Sequence, residues 1–287
     1  MSGTVLVVGG TGLLGRPVAR RLADVGYGVR IFSRHGGRAR EMFGRAFEVA
    51  EGDVGDVGAL ERAMDGCVGV HVSLDGHGDW DLERRGAKAV AAAAVRRNVA
   101  RITYISGASA SEENAWFPMT RAKLDAERAI RDSGVGFTIF RCTMFMETLP
   151  AFVREGRAMV MGRQVAPWHW LAADDYAAMV ARAFESAAAA GTTLYPYGPD
   201  ALTIEEALGR YCAACAPEAR VARVPFSVLS VMSYVPGRGE LRRYALPLMR
   251  YFSKVREVGD PAEADALLGK PVTTLEAWCR ARVGAGV

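Results

Sequence analysis

Hydrophobic positions along the chain fall into two alternating rhythms. Val5-Leu6-Val7-Val8 is a short unbroken apolar run, the pattern of a strand buried on both faces. Glycines follow at once, and residues 14–23 then carry apolar side chains at helical spacing. The alternation continues with strands expected at 29–32, 47–50, 68–73, 101–106 and 137–141. Helices are expected at 56–64, 80–97 and 118–133. Strands alternating with helices predict βαβ units, hence an α/β fold built on a doubly wound parallel sheet.

Beyond residue 142 the rhythm loosens. A helix is expected over 174–190 and a late strand over 192–195. Thr203 followed three residues later by Glu206 reads as an N-cap with a capping box, and the remainder reads as helical. The domain reading is therefore a nucleotide-binding domain over 1–155, rejoined by 170–198, and a smaller, mostly helical lobe over 199–287.

Composition narrows the class. Of 287 residues half are hydrophobic and 24% are charged, with a net charge of +4, which argues against a disordered chain and against a nucleic-acid partner. No run approaches the roughly 20 apolar residues of a membrane span, and no secretory leader is read at the start. The stretch 224–254 is apolar and basic; it reads as the lid of a substrate pocket in preference to an amphipathic element on a membrane or partner. Five cysteines at irregular spacing include one CxxC, Cys212 to Cys215, without a second pair, so no metal site is expected. The expectation is a reduced, cytoplasmic chain.

The strongest chemical signal is Gly9-Gly10-Thr11-Gly12-Leu13-Leu14-Gly15, placed between the first strand and the first helix. Gly9 permits a tight turn, Gly12 a close backbone approach to a pyrophosphate, and Gly15 close packing of helix on strand. The helix N-terminus then offers free N–H groups to phosphate charge. A site for NAD places a carboxylate after the second strand to hold the ribose 2′-hydroxyl. Here Ser33-Arg34 stands there, with Arg38 following, and guanidinium groups suit a 2′-phosphate, so NADP is the expected cofactor.

These residues resemble the short-chain dehydrogenase/reductase superfamily, and within it the atypical NmrA-like and complex I subunit-like branch. The resemblance runs through Gly9 to Gly15, Ser33-Arg34, Gly52-Asp53-Val54, Tyr104-Ile105-Ser106, Lys123 with Glu127, Thr138 to Arg141, and Trp170 to Ala177. It implies that Thr11, Leu13 and Leu14 join the glycines around the phosphates, that Asp53 and Val54 border the adenine, and that Ser73 with the loop 74–78 lies over phosphates and ribose. Ser106 and Lys123 complete the implied cofactor set. The second lobe is expected to close a substrate cleft over the nicotinamide.

The superfamily's acid–base pattern, Tyr-x-x-x-Lys, is incomplete. Lys123 matches, but Met119 occupies the tyrosine position and cannot exchange a proton. The usual serine falls on Ala108, with Ser109 one position away. Two readings follow. One is a reductase of a small, apolar carbonyl, enone or quinone-like molecule, with Lys123, His169 or His77 taking the acid–base role. The other is a non-catalytic NADP(H) sensor or scaffold. The substrate class follows from relatives and from Met144, Phe145, Met146, Trp168 and Trp170. His71 and Tyr104 read as core residues, Glu127 as a partner for Lys123 one turn away. The oligomeric state is left open.

Overall fold

The computed structural model describes residues 3–74, 79–161, 164, 166–235, 242–243 and 246–284. It divides into two compact units. The first comprises Met1–Cys142, Ala173–Pro196 and Asp260–Lys270; the second comprises Thr143–Ala172, Tyr197–Gly259 and Pro271–Val287.

The first unit opens with β1 (Thr4–Val8), α1 (Gly15–Asp24), β2 (Gly28–Ser33), α2 (Gly36–Phe43), β3 (Glu48–Glu51), α3 (Val57–Met64) and β4 (Cys67–Val72). It continues with α4 (Trp80–Arg96), β5 (Arg101–Gly107), α5 (Pro118–Asp132) and β6 (Gly136–Cys142). The chain then passes through β7 (Met144–Phe145), β8 (Val153–Arg154), β9 (Arg157–Met161) and β10 (Trp168–Leu171), returning as α6 (Ala173–Glu185) and β11 (Thr192–Leu194). Beyond lie β12 (Asp200–Leu202), α7 (Ile204–Cys215), β13 (Arg220–Val224), α8 (Phe226–Met232), α9 (Leu246–Phe252), α10 (Ala262–Leu268) and α11 (Leu275–Gly284).

The main sheet has seven strands in the order β11-β6-β5-β4-β1-β2-β3, every pair parallel. Strand order reverses between β1 and β4, so the carboxyl ends of these two strands open a crevice. Val5, Leu6, Val7 and Val8 are buried on both faces, as the apolar run requires. Against one face pack α3, α4 and α5, joined in a core that includes Leu60, Met64, Val90, Ile102, Tyr104 and Ile130. Alanines at 87, 91, 93 and 94 keep α4 thin enough to lie between its two neighbours. Against the other face α1 packs beside α6.

The first stretch of this unit ends at Cys142, earlier than the boundary expected near 155. The reason is pairing: Met144 and Phe145 align with Trp170 and Leu171 in a separate small sheet. Helix α2, for which the sequence pattern sets no expectation, lies between β2 and β3. Helix α6 ends at Glu185, short of 190, because Ser186 Oγ accepts the Ala189 N–H and Gly191 takes a positive φ of 79°.

The second unit holds two three-stranded sheets, β12-β10-β7 and β13-β9-β8, alongside its helices. Its core gathers Met146, Leu149, Trp170, Leu208, Tyr211, Leu275 and Trp278. The capping box at Thr203 and Glu206 is present. Within 224–254, helices α8 and α9 are separate short elements, and the residues between them lie partly outside the described set. Among the described residues no helix is long and apolar enough to cross a membrane.

Candidate dinucleotide site

The glycine loop leaves β1 at the strand-order reversal. Gly9 has φ +83°, and a Cβ on it would stand 1.9 Å from the Ser73 carbonyl oxygen. A Cβ on Gly15 would stand 2.3 Å from the Gly9 carbonyl oxygen, so loop and helix touch through bare backbone. Gly12 differs. Its N–H donates to the Gly9 carbonyl at 2.9 Å, and a Cβ there would meet only that carbonyl oxygen, at 3.2 Å. The chain itself tolerates a side chain at 12 far better than at 9 or 15, which leaves space above the loop for a phosphate. Leu14 caps α1 without a side-chain hydrogen bond, the Arg16 N–H is taken by the Gly12 carbonyl at 3.2 Å and Pro17 has no N–H, so the helix dipole faces that space mainly through the loop backbone at its start.

A groove opens here, with about 730 Å³ of space including its mouth. Gly9, Thr11 and Gly12 line its floor, Ser33, Arg34 and His35 the end of β2, Gly52 and Val54 the end of β3, and Ser73, Leu74 and Leu82 the side toward α4. Among the described residues its lining contains no carboxylate. Arg34 and Arg38 are both exposed and make no ion pair among the described residues. Arg38, on α2, is not among the lining residues, nor are Leu13, Leu14 and Gly15. These features fit a phosphate-bearing dinucleotide.

Asp53 is spent on its own turn: Oδ1 accepts the Gly55 N–H at 2.8 Å, and the turn presents half of the pair, Val54, to the groove. Ser106 is buried, and its hydroxyl donates to Glu127 Oε1 at 2.6 Å. Glu127 is fully buried and also receives Arg141 at 2.7 Å and Arg131 at 2.9 Å. Burial would push this carboxyl up, but Arg141, Ser106 and Arg131 together hold it below the usual range. Glu127 is therefore not the partner of Lys123, because two guanidinium groups claim it.

Lys123 instead pairs with Glu83 of α4 and donates to the Ile105 carbonyl at 3.1 Å. Glu83 Oε1 also accepts the Tyr104 hydroxyl at 2.9 Å. Met119, one turn before Lys123 on α5, is half-buried, and Ala108 is buried with its N–H on the Cys142 carbonyl.

The histidines separate. His71 is buried in β4, its Nδ1 2.9 Å from Thr103 Oγ1, and burial pushes it down to about 3. His77 lies outside the described residues. His169 belongs to the second unit. Its Nδ1 is 2.7 Å from Glu257 Oε2, its N–H donates to Glu257 Oε1 at 3.0 Å, and its ring stacks on Tyr197 with centroids 4.8 Å apart. Sequence reading misses both Glu83 and Glu257, whose partners lie 40 and 88 residues away.

Comparison with known proteins agrees with this geometry. Residues 9–185 match the model of a family described as NAD(P)H-binding. A (4-alkanoyl-5-oxo-2,5-dihydrofuran-3-yl)methyl phosphate reductase of Streptomyces griseus subsp. griseus is 34% identical over 205 residues, 70% of each chain. The photosystem II assembly factor Ycf39 of Cyanophora paradoxa is 29% identical over 154 residues, 51% of this chain and 47% of that one. Among solved structures, Citrobacter sp. triphenylmethane reductase complexed with NADP(H) superposes with a TM-score of 0.76 at 20% identity, covering 97% of this chain and 99% of that one. Glycine loop, groove and family match converge: the chain belongs to the NAD(P)H-binding family and is reductase-like.

Proposed function

We propose that this chain is an NADPH-dependent reductase of a small, fairly apolar carbonyl, enone or quinone-like substrate. The observation that carries the reading is the groove at the strand-order reversal, lined by Ser33 and Arg34 and, among the described residues, by no carboxylate. The backbone of the glycine loop and the positive end of the α1 dipole hold the pyrophosphate. Arg34, with Arg38 nearby on α2, favours the 2′-phosphate through charge-assisted hydrogen bonds. Val54 packs on the adenine while Asp53 shapes the turn that presents it. Bound NADPH supplies a hydride. Lys123, fixed beside the carboxyl end of β5, supplies a hydrogen-bond donor, since Met119 has none. The Streptomyces relative, named as a reductase of a furanone phosphate, supports reduction as the activity and an unsaturated carbonyl compound as the substrate class.

Met119 and Ala108, which lack the two hydroxyls of the usual pattern, favour a second reading as an NADP(H)-responsive assembly or sensor protein, and the likeness to an assembly factor supports it. Two measurements decide. Calorimetric titration should give tighter binding of NADPH than NADH, and Arg34→Asp should erase or reverse the preference; tighter NADH binding by the wild type overturns the cofactor assignment. Single-turnover oxidation of bound NADPH across ketones, enones, furanones and quinones should exceed the buffer rate with at least one class. A partner captured with only one redox form of the cofactor, and no turnover, decides for the second reading.

A further inference from the structure

Lys123 is held by two groups of the chain and keeps one donor in reserve. An ammonium carries three N–H groups. Glu83 takes one and the Ile105 carbonyl takes a second, at 3.1 Å; the third has no hydrogen-bond acceptor among the described residues, where the ammonium otherwise meets the Tyr104 ring, 5.5 Å from its centre. The Lys123 side chain is 15% exposed and that of Glu83 is 10% exposed, so the pair is sheltered without being sealed. Glu83 is itself anchored, because Oε1 accepts the Tyr104 hydroxyl at 2.9 Å. Tyr104 is fully buried. Burial first, then the Glu83 carboxylate, pushes its phenol well above the ordinary value, so it stays a neutral donor that fixes the carboxylate.

The cluster belongs beside the dinucleotide groove of the same unit. Leu82, the residue before Glu83, lines that groove. Ile105 lies on β5, the strand paired with β4, and β4 runs into groove-lining Ser73. Two chain segments, 40 and 18 residues before Lys123, thus converge on its amine.

We propose that Glu83 is the positioning residue of Lys123, and that the third N–H of the ammonium is the donor this site offers to a ligand hydroxyl or to charge developing on a substrate oxygen. Glu83 gives Lys123 the fixed partner that Met119, one turn earlier on α5, cannot be. The identity of the ligand rests on the reductase reading; the hold of Glu83 on Lys123 does not.

The chain has four lysines, Lys88, Lys123, Lys254 and Lys270. Protein labelled with ¹³C and ¹⁵N in lysine alone therefore gives four Nζ signals, and Lys123→Arg assigns the one of interest. Without cofactor, Glu83→Gln should move the Lys123 Nζ signal, while Lys88, Lys254 and Lys270 stay in place. In single-turnover NADPH oxidation the same variant should lose about 10²-fold in rate, the scale of one positioned donor, with the Kd for NADPH little changed. A folded Glu83→Gln protein with an unmoved Lys123 signal, or with wild-type rate, overturns the proposal. If wild type oxidises no NADPH with any acceptor, the reductase reading fails and the Nζ signal alone decides the role of Glu83. Glu83→Asp, which withdraws the carboxylate by one methylene, carries the same readouts if Glu83→Gln does not fold.

Discussion

His169 and Glu257, 88 residues apart, meet through Nδ1 and Oε2 at 2.7 Å, and the same carboxylate accepts the His169 backbone N–H. Thr143 adds its hydroxyl to Glu257, and Tyr197, whose own hydroxyl donates to the Val258 carbonyl, covers one ring face. Burial pushes the Glu257 carboxyl up, and the bonds from His169 only partly pull it back. A folded-state value above the ordinary 4.5 means that the stabilising contribution is full below 4.5 and is lost as pH rises through the raised value. Glu257→Gln should therefore flatten the fall in thermal stability with rising pH in the weakly acidic range. An identical pH slope in both proteins would count against the pair as drawn.

His71 gives a dependence of opposite sign. Its folded-state value of about 3 lies below the ordinary 6.5, so its contribution is present above 6.5 and is lost as pH falls toward 3. The slope is at most about 1.4 kcal/mol per pH unit for one proton. His71→Asn, which can keep a bond to Thr103, should show a shallower decline between pH 6 and 4 by thermal unfolding, whatever its absolute stability.

The three loop glycines should separate by phenotype. Gly12→Val should remain folded and lose NADPH binding, because the added carbons enter the phosphate space and not the chain. Gly15→Ala drives a Cβ to 2.3 Å from the Gly9 carbonyl oxygen, and overpacking of this kind costs about 1–3 kcal/mol. Circular dichroism melting alongside calorimetry distinguishes the two, and undiminished affinity in folded Gly12→Val removes the loop from the site.

Glu127 is expected to matter for folding. Glu127→Ala leaves the Arg141 and Arg131 guanidinium groups without their carboxylate, a loss of about 3–5 kcal/mol for a broken buried pair. Ser106→Ala removes one hydrogen bond from the same carboxylate, worth about 1.5–3 kcal/mol for a charged acceptor. It should lower the melting temperature without raising the KM for NADPH. A KM effect with unchanged stability would instead support Ser106 as a cofactor contact.

What the sequence made legible is what depends on neighbours along the chain. The β1–loop–α1 unit announces itself because its strand, its glycines and its helix are contiguous, and the Thr203 capping box spans four residues. Helix α2 was hidden because it begins on Gly36-Gly37, which reads as a break. Strands β9 and β13 were hidden because Arg157 to Met161 and Arg220 to Val224 mix arginines with apolar residues and pair across about 60 positions. Lys123 stood out, yet its partner did not. Glu127 is the near carboxylate in sequence, and only the fold shows that arginines hold it while Glu83 arrives from α4.

The chain passes between its two units five times, after Cys142, Ala172, Pro196, Gly259 and Lys270. The last return brings α10 onto α6, where Arg182 donates to the Leu268 carbonyl at 2.5 Å. During synthesis the nucleotide-binding unit therefore cannot finish folding when its sheet is complete at β11. It must wait, partly assembled, until residues near 270 have emerged, with α6 uncovered on the side that α10 will occupy. A ribosome stalled between residues 200 and 260 would hold out a unit with all seven strands made and α10 missing, its α6 surface open to a chaperone.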